Sequence, residues 1–209
     1  AGHTPNPRPV EHDVFERTVA QVVVELPDGS QHALDLSGPA AVDVYFEGPV
    51  EGAANDDDSP ADGRDEVVTE IVALNLTGTH PTLGPVSLTL RDASQHPNRR
   101  SVGEMEETAN TQTGRLDLPP FAAAGSADSF FDVFFQIKVG DRLLHNDRPK
   151  RLSARISHKP PEPNITYADT GFDPIPLLDE NDVDTGIRLV KAGHTPNPRP
   201  VEHDVFERT

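Results

Sequence analysis

Apolar and polar residues alternate along most of the chain, which is the period of β-strands with one buried face. In the stretch 19–26, Val22, Val24 and Leu26 fall on the same side. A Pro-Asp-Gly-Ser turn follows and leads into the stretch 31–36, a combination that predicts a β-hairpin. The alternation recurs in 41–47, 67–78, 86–92, 115–121, 129–139, 151–159 and 187–191.

Helical periodicity is almost absent from this pattern. The stretch 101–110, SVGEMEETAN, is the one segment that suits a short helix. About eight to ten short strands with turns between them predict an all-β protein built as an antiparallel β-sandwich. Immunoglobulin-like and jelly-roll connections both fit this number of strands.

The chain begins and ends with the same segment. Residues 1–18 and 192–209 both read AGHTPNPRPVEHDVFERT, and the two copies are offset by 191 residues. Self-similarity at a fixed period is typical of repeat proteins, with an artefact of cloning as the alternative explanation. We interpret the chain as one period of a tandem array that also includes the start of the next copy.

This interpretation divides the chain into three parts. Residues 1–9 are rich in proline and predict an extended spacer between repeats. Residues 10–191 form the β-sandwich repeat unit, and residues 192–209 hold the spacer and first strand of the next repeat. The predicted assembly junction consists of Val14, Phe15, Pro196, Pro198, Pro200, Val205 and Phe206. Its partners are identical neighbours, joined head to tail either covalently or by strand exchange.

Composition and charge narrow the classes of function. The net charge of −17 disfavours binding to nucleic acid or to an anionic membrane surface. Hydrophobic residues make up 34% of the chain, and 21 prolines indicate short strands around a modest core. No apolar run approaches the roughly 20 residues that cross a bilayer, so we expect no membrane insertion. With no cysteine, the chain has neither a disulfide framework nor a thiolate metal site.

An acidic loop at 55–66 is the first candidate metal site. Calcium takes six to eight oxygen ligands, often from loops of this kind. Calcium is therefore the one cofactor that we predict. The alternative is a charged loop that is only solvated. The candidate ligands are Asp56, Asp57, Asp58, Asp62, Asp65 and Glu66. A second acidic cluster precedes the last predicted strand and suits either calcium or a turn. Its members are Asp179, Asn181, Asp182 and Asp184.

Catalytic motifs are missing from the sequence. It holds no His-Glu-x-x-His pair, no Gly-x-Ser-x-Gly elbow and no phosphate-binding glycine loop. The paired carboxylates lie in polar loops, away from aromatic residues. We therefore expect that the protein is not an enzyme and has no catalytic residues.

Five blocks of the chain form a recognisable set: VYFEGP (44–49), DGRDEVVTEIVALNLTG (62–78), ADSFFDVFFQI (127–137), LLHN (143–146) and SHKPP (157–161). With these blocks the chain resembles a domain that is repeated in large secreted or surface proteins of bacteria. The resemblance covers most of 10–191 and implies an extracellular or cell-surface, non-catalytic domain present in many copies.

Together these observations predict a structural repeat unit of an extracellular filament or surface protein, linked head to tail through the duplicated segment. The alternative is an adhesin-type binding module whose acidic loops recognise a glycan or a protein. A calcium-dependent hydrolase is the hypothesis that the sequence favours least.

Overall fold

A computed structural model describes residues 10–171, 173–197 and the backbone of 205–206. In this part of the chain the protein is all-β, as predicted, with thirteen strands and a single 3-10 turn at Pro97–Arg99. All strand pairs are antiparallel and belong to one large sheet. Within the same residues, no helix has the length and apolar character needed to cross a membrane.

The strands are β1 (Val10–Glu25), β2 (Gln31–Tyr45), β3 (Glu66–His80), β4 (Gly84–Leu90), β5 (Ser101–Glu107), β6 (Ala127–Val133), β7 (Phe135–Val139), β8 (Arg142–His145), β9 (Lys150–Ile156), β10 (Tyr167–Asp169), β11 (Ile175–Leu178), β12 (Asp184–Thr195) and β13 (Val205–Phe206).

The strand pairings close into two rings. The first ring runs through β1, β2, β3, β4, β7, β8, β11 and β12 and returns to β1. The second ring runs through β1, β2, β3, β5, β6, β9, β10 and β12. Since β1, β2, β3 and β12 belong to both, the two rings are joined along their longest strands.

The strand β3 shows how one strand serves both rings. Its first half, Glu66–Ile71, pairs with β5, and its second half, Asn75–His80, pairs with β4. At this crossing β2 passes so close to β3 that a Cβ atom on Gly38 would lie 2.0 Å from the carbonyl oxygen of Asn75. Glycine is therefore required at position 38, where the backbones meet.

The hydrophobic core fills the space inside the rings. Along β2 the buried side chains of Leu34 and Leu36 alternate with exposed Ala33 and Asp35, as the sequence pattern predicts. The hairpin predicted from 19–26 and 31–36 is confirmed by the pairing of β1 with β2. Its turn is closed by a hydrogen bond of 2.9 Å from the Gly29 amide to the Leu26 carbonyl, with Gly29 at a φ of +83°.

Two local predictions are wrong. The stretch expected to be helical forms β5, because β3 and β6 pair with it on either side and its alternate residues are buried. The stretch 115–121 forms only an isolated bridge at Arg115.

The stretch 129–139 is strand, as predicted, but it is interrupted at Phe134. The amide of Phe134 donates to Ser101 Oγ, and its carbonyl accepts from the Arg91 amide, so neither group bonds to a neighbouring strand.

A sandwich of two packed sheets is not confirmed. The described strands form one continuous sheet, and alternation of buried and more exposed residues marks the inward face of strands such as β5 and β6. The same alternation serves a two-sheet sandwich and a sheet closed on itself, so the pattern along the chain does not separate them.

The second copy of the duplicated segment begins inside the sheet. Residues 192–195 are the end of β12, which pairs with β1 from Val19 to Glu25. Further along, β13 pairs with Val10 and Glu11, residues whose other side is held by β2. β13 therefore lies on the same side of β1 as β12.

Candidate functional site

Two adjoining cavities lie within the closed sheet. The first has a volume of about 50 Å³, and every strand of the second ring lines it. The second cavity has a similar volume of about 50 Å³ and lies where the rings join. Since Ile71, Val133, Leu152 and His194 line both, the two cavities meet at these residues.

Apolar side chains dominate the walls of both cavities. Those of the first cavity are Phe15, Ala40, Val42, Val44, Ile71, Met105, Phe131, Val133, Leu152, Pro161 and Pro196. The second cavity adds Ala20, Val22, Leu74, Leu76, Leu88, Phe135, Leu189 and Ala192. They line these walls because inward positions of the alternating strands are apolar.

A buried ion-pair cluster borders the first cavity. The Lys159 ammonium lies 2.7 Å from Glu11 Oε2 and 2.9 Å from Asp13 Oδ2. The three side chains are 1%, 3% and 9% exposed, so the charges are almost completely removed from water. A buried ammonium needs such partners, since burial of an unpaired charge is strongly unfavourable.

A second buried ion pair borders the other cavity. The Lys150 side chain pairs with the Asp169 carboxylate, and both side chains are at most 5% exposed. Lys150 lies at the start of β9 and Asp169 at the end of β10, next to each other in the sheet. Each lysine at the cavity walls is thus matched by at least one carboxylate.

Uncharged polar groups also face the first cavity. His194 Nε2 and Thr69 Oγ1 are buried and make no hydrogen bond within the described protein. Burial lowers the pKa of His194 to about 4, so its imidazole is neutral at pH 7. The Tyr167 hydroxyl donates to Ser129 Oγ at 3.1 Å, and burial raises the pKa of Tyr167 to about 12.

Sequence reasoning missed all of these polar residues. Lys159 and its partners are far apart in the chain, and only the fold brings Glu11 and Asp13 to it. One signal was present: Glu11 and Asp13 share one face of a strand, and two acidic residues there need a cation if that face is buried.

The predicted acidic loop divides into two parts. Asp56, Asp58 and Asp62 come together, with one carboxylate oxygen of each within 4.8 Å of the others. Among the described residues these three form the one such acidic group. Asp65 and Glu66 turn inward, where Asp65 accepts from the amide of Arg115 at 3.2 Å and is 1% exposed.

The buried side chain of Glu66 holds the acidic loop in place. Its Oε1 accepts from the amide of Asp57 at 2.6 Å, and the residue is 4% exposed. Burial, together with the neighbouring Asp57 carboxyl, raises the pKa of Glu66 to about 8. The fully buried Glu107 anchors the same region by accepting from the amides of Asp65 at 3.1 Å and Asp117 at 2.8 Å.

The second predicted cluster is spread over separate contacts. Asp179 accepts from the amides of Asn181 and Val183, as in a local turn. Asp182 lies 2.9 Å from His145 Nε2, and Asp184 lies 2.6 Å from an Arg188 nitrogen. The carboxylate of Asp182 thus has a histidine as partner, and that of Asp184 has an arginine.

The predicted junction residues lie in different environments. Val14 is 40% exposed, whereas Phe15 is 4% exposed and lines the first cavity together with Pro196. The backbones of Val205 and Phe206 pair with Glu11 and Val10. Pro198 and Pro200 lie outside the described residues.

Comparison with known proteins identifies the fold. No model of a protein family matches the chain. No match to a curated protein is significant. A solved structure, DynF from the dynemicin biosynthesis pathway of Micromonospora chersina, is similar over 96% of this chain and 87% of its own, with a TM-score of 0.66 and 17% identity. At this identity the likeness shows a shared fold.

This likeness corrects one prediction. We expected that the protein is not an enzyme, because catalytic motifs are missing from the sequence and because the resemblance to a repeated bacterial domain implies a non-catalytic role. That expectation is contradicted, since the chain shares its fold with a protein from a biosynthesis pathway.

Proposed function

We propose that the protein binds an apolar small molecule in the two joined cavities. The observation that carries the proposal is an apolar space inside a closed sheet that is lined by Thr69 and His194, whose buried Oγ1 and Nε2 atoms make no hydrogen bond within the described protein. Ligand sites are typically apolar cavities with a few polar groups that fix the orientation of the ligand.

Packing supports this proposal. Protein interiors are close-packed, and voids larger than a water molecule are few. An unfilled apolar cavity destabilises the folded state because its lining atoms lack contact partners. A ligand that covers Phe15, Val44, Met105 and Phe131 would restore these contacts and would be held by the burial of its own apolar surface.

The fold neighbour is consistent with a small-molecule role. DynF is named for a biosynthesis pathway, and such pathways act on small organic molecules. The cavity of this chain offers space for one, with side chains from eight strands around it.

A neutral fluorescent dye tests the proposal directly. Nile red emits strongly in apolar surroundings, and titration with the wild-type protein should give saturable emission. Ala40→Phe places a ring in the first cavity and should abolish this signal. Ala33→Phe is the matched control, because Ala33 lies on the same strand with its side chain exposed.

The pattern over the three proteins decides the result. Binding by wild type and Ala33→Phe, with loss in Ala40→Phe, supports the cavity as the site. Equal emission from all three proteins would place the dye on the surface and would contradict the proposal. Thermal unfolding of Ala40→Phe checks that the variant is folded.

Head-to-tail assembly of an extracellular repeat unit, with the sandwich architecture predicted from the sequence, is a second proposal. An adhesin-type binding module is its alternative. The observation in its favour is that β13, from the second copy of the duplicated segment, pairs with β1, from the first. Sedimentation velocity over a hundredfold range of concentration should then show growing oligomers, and Phe206→Asp should reduce them. A monomer at every concentration would contradict it.

Calcium binding also remains a proposal. It is supported by the closeness of Asp56, Asp58 and Asp62, which offers three carboxylates to one ion. Calorimetric titration with calcium should give heat that Asp58→Asn removes. Asp141→Asn, in the turn between β7 and β8, is the control.

A further inference from the structure

The charges at the cavity walls indicate which class of ligand fits. At the first cavity, the Lys159 ammonium is shared by two carboxylates at 2.7 and 2.9 Å. When the ammonium and both carboxylates are ionised, the net charge of this cluster is negative. A ligand carboxylate placed there would approach Asp13, which lines the same wall.

The second cavity offers no better partner for an anion. Its lysine, Lys150, is paired with the buried Asp169 carboxylate. Among the described residues that line the two cavities, Lys150 and Lys159 are the only lysines, and there is no arginine. Because a buried charge needs a hydrogen-bonded counter-charge, an anionic ligand would be strongly disfavoured.

Apart from the Lys159 ammonium, which has two carboxylates beside it, the buried polar atoms at the first cavity that make no hydrogen bond suit an uncharged group. A neutral imidazole nitrogen such as His194 Nε2 donates or accepts, depending on the tautomer, and the Thr69 hydroxyl does both. A ligand hydroxyl or carbonyl can therefore bond to either. Both atoms are buried, so the ligand would satisfy groups that water does not reach.

We infer that the ligand is a neutral, mainly apolar molecule with a hydroxyl or carbonyl group, and that the site discriminates against fatty-acid carboxylates. This inference rests on the proposed function, because it specifies the ligand of the same cavities. The polar group of the ligand lies near Thr69 and His194, and its apolar part extends into both cavities.

Paired probes of equal chain length test the inference. Calorimetric titrations of the wild-type protein at pH 7.5 compare 1-decanol, 2-decanone and decanoate. We expect the two neutral probes to bind at least about tenfold more tightly than decanoate, because burial of an unpaired carboxylate is strongly unfavourable. Decanoate that binds as tightly as decanol, or more tightly, would overturn the inference while leaving the proposed function intact.

Two variants locate the discrimination. Thr69→Val keeps the shape of the side chain and removes the hydroxyl, so decanol should bind roughly two- to tenfold more weakly. Asp13→Asn removes one of the two carboxylates beside Lys159, so the affinity for decanoate relative to that for decanol should rise at least about threefold. Asp35→Asn, on the exposed face of β2, is the control and should change neither.

The outcomes separate the two proposals. If no probe binds and Nile red does not bind either, the proposed function fails and the inference fails with it. If decanol binds and Thr69→Val has no effect, while Asp13→Asn leaves the affinity for decanoate relative to that for decanol unchanged, the cavity binds apolar molecules without the polar recognition inferred here.

Discussion

Replacement of Lys159 by methionine tests the buried ion-pair cluster. Methionine has a similar length but no charge, so Lys159→Met leaves the carboxylates of Glu11 and Asp13 without their ammonium partner. Removal of one partner from a buried ion pair typically destabilises a protein by about 3–5 kcal/mol. The side chain is 1% exposed, so water cannot replace the lost contact.

Urea denaturation at pH 7 measures the effect. With a slope of about 3 kcal/mol per molar, a loss of about 3–5 kcal/mol lowers the midpoint by roughly 1–2 M. The control is Lys138→Met, because Lys138 is exposed on β7 and its replacement should change stability by less than about 0.5 kcal/mol.

A triple variant separates charge from packing. Glu11→Gln and Asp13→Asn, added to Lys159→Met, remove all the charges of the cluster and should recover a large part of the stability. A midpoint for Lys159→Met within about 0.3 M of wild type would refute the reasoning. A triple variant less stable than the single variant would show that the loss comes from shape and not from an uncompensated charge.

Three further predictions follow from individual residues. Because the pKa of Glu66 is raised from 4.5 to about 8 in the folded state, the melting temperature of the wild-type protein should fall relative to that of Glu66→Gln as the pH rises from 5 to 8; a constant difference between the two proteins would contradict it. Because the pKa of His194 is lowered from 6.5 to about 4, stability should be lost as the pH falls from 6.5 to 4, and His194→Gln should lose less than wild type over that range. Gly38→Ala should lower the free energy of unfolding, measured in urea, by about 1–3 kcal/mol or more, because its Cβ would lie 2.0 Å from a carbonyl oxygen. Gly193→Ala is the control and should have a small effect, because the atom nearest to its Cβ would be 3.7 Å away.

The strand content could be predicted from the sequence for a local reason. The side chains of successive residues in a strand point to opposite faces, so burial on one face leaves a visible alternation. This signal locates β3 and β4 well, whereas it marks only the second half of β1 and divides β2 into two stretches, 31–36 and 41–47. It failed for β5, whose glutamates at 104 and 106 gave the composition of a helix, because the neighbouring strands on both sides decide its conformation.

The candidate cavity could not be predicted in this way. Its polar groups come from positions as distant as Asp13, Thr69, Lys159 and His194, which only the closed pairing of strands brings together. The acidic loop, in contrast, is a local feature, and the closeness of Asp56 to Asp58 and Asp62 could be expected from a short loop.

The duplicated segment shows most directly what the sequence determines and what the tertiary structure decides. By itself, the sequence determined that the chain is all-β, which residues alternate, and that residues 1–18 recur at 192–209. Val14–Phe15 pairs with β2 inside β1, whereas the identical Val205–Phe206 pairs with Glu11 and Val10 as β13. Only the tertiary structure decided this difference, because hydrogen bonds between strands depend on which distant segment lies alongside and not on local residue order.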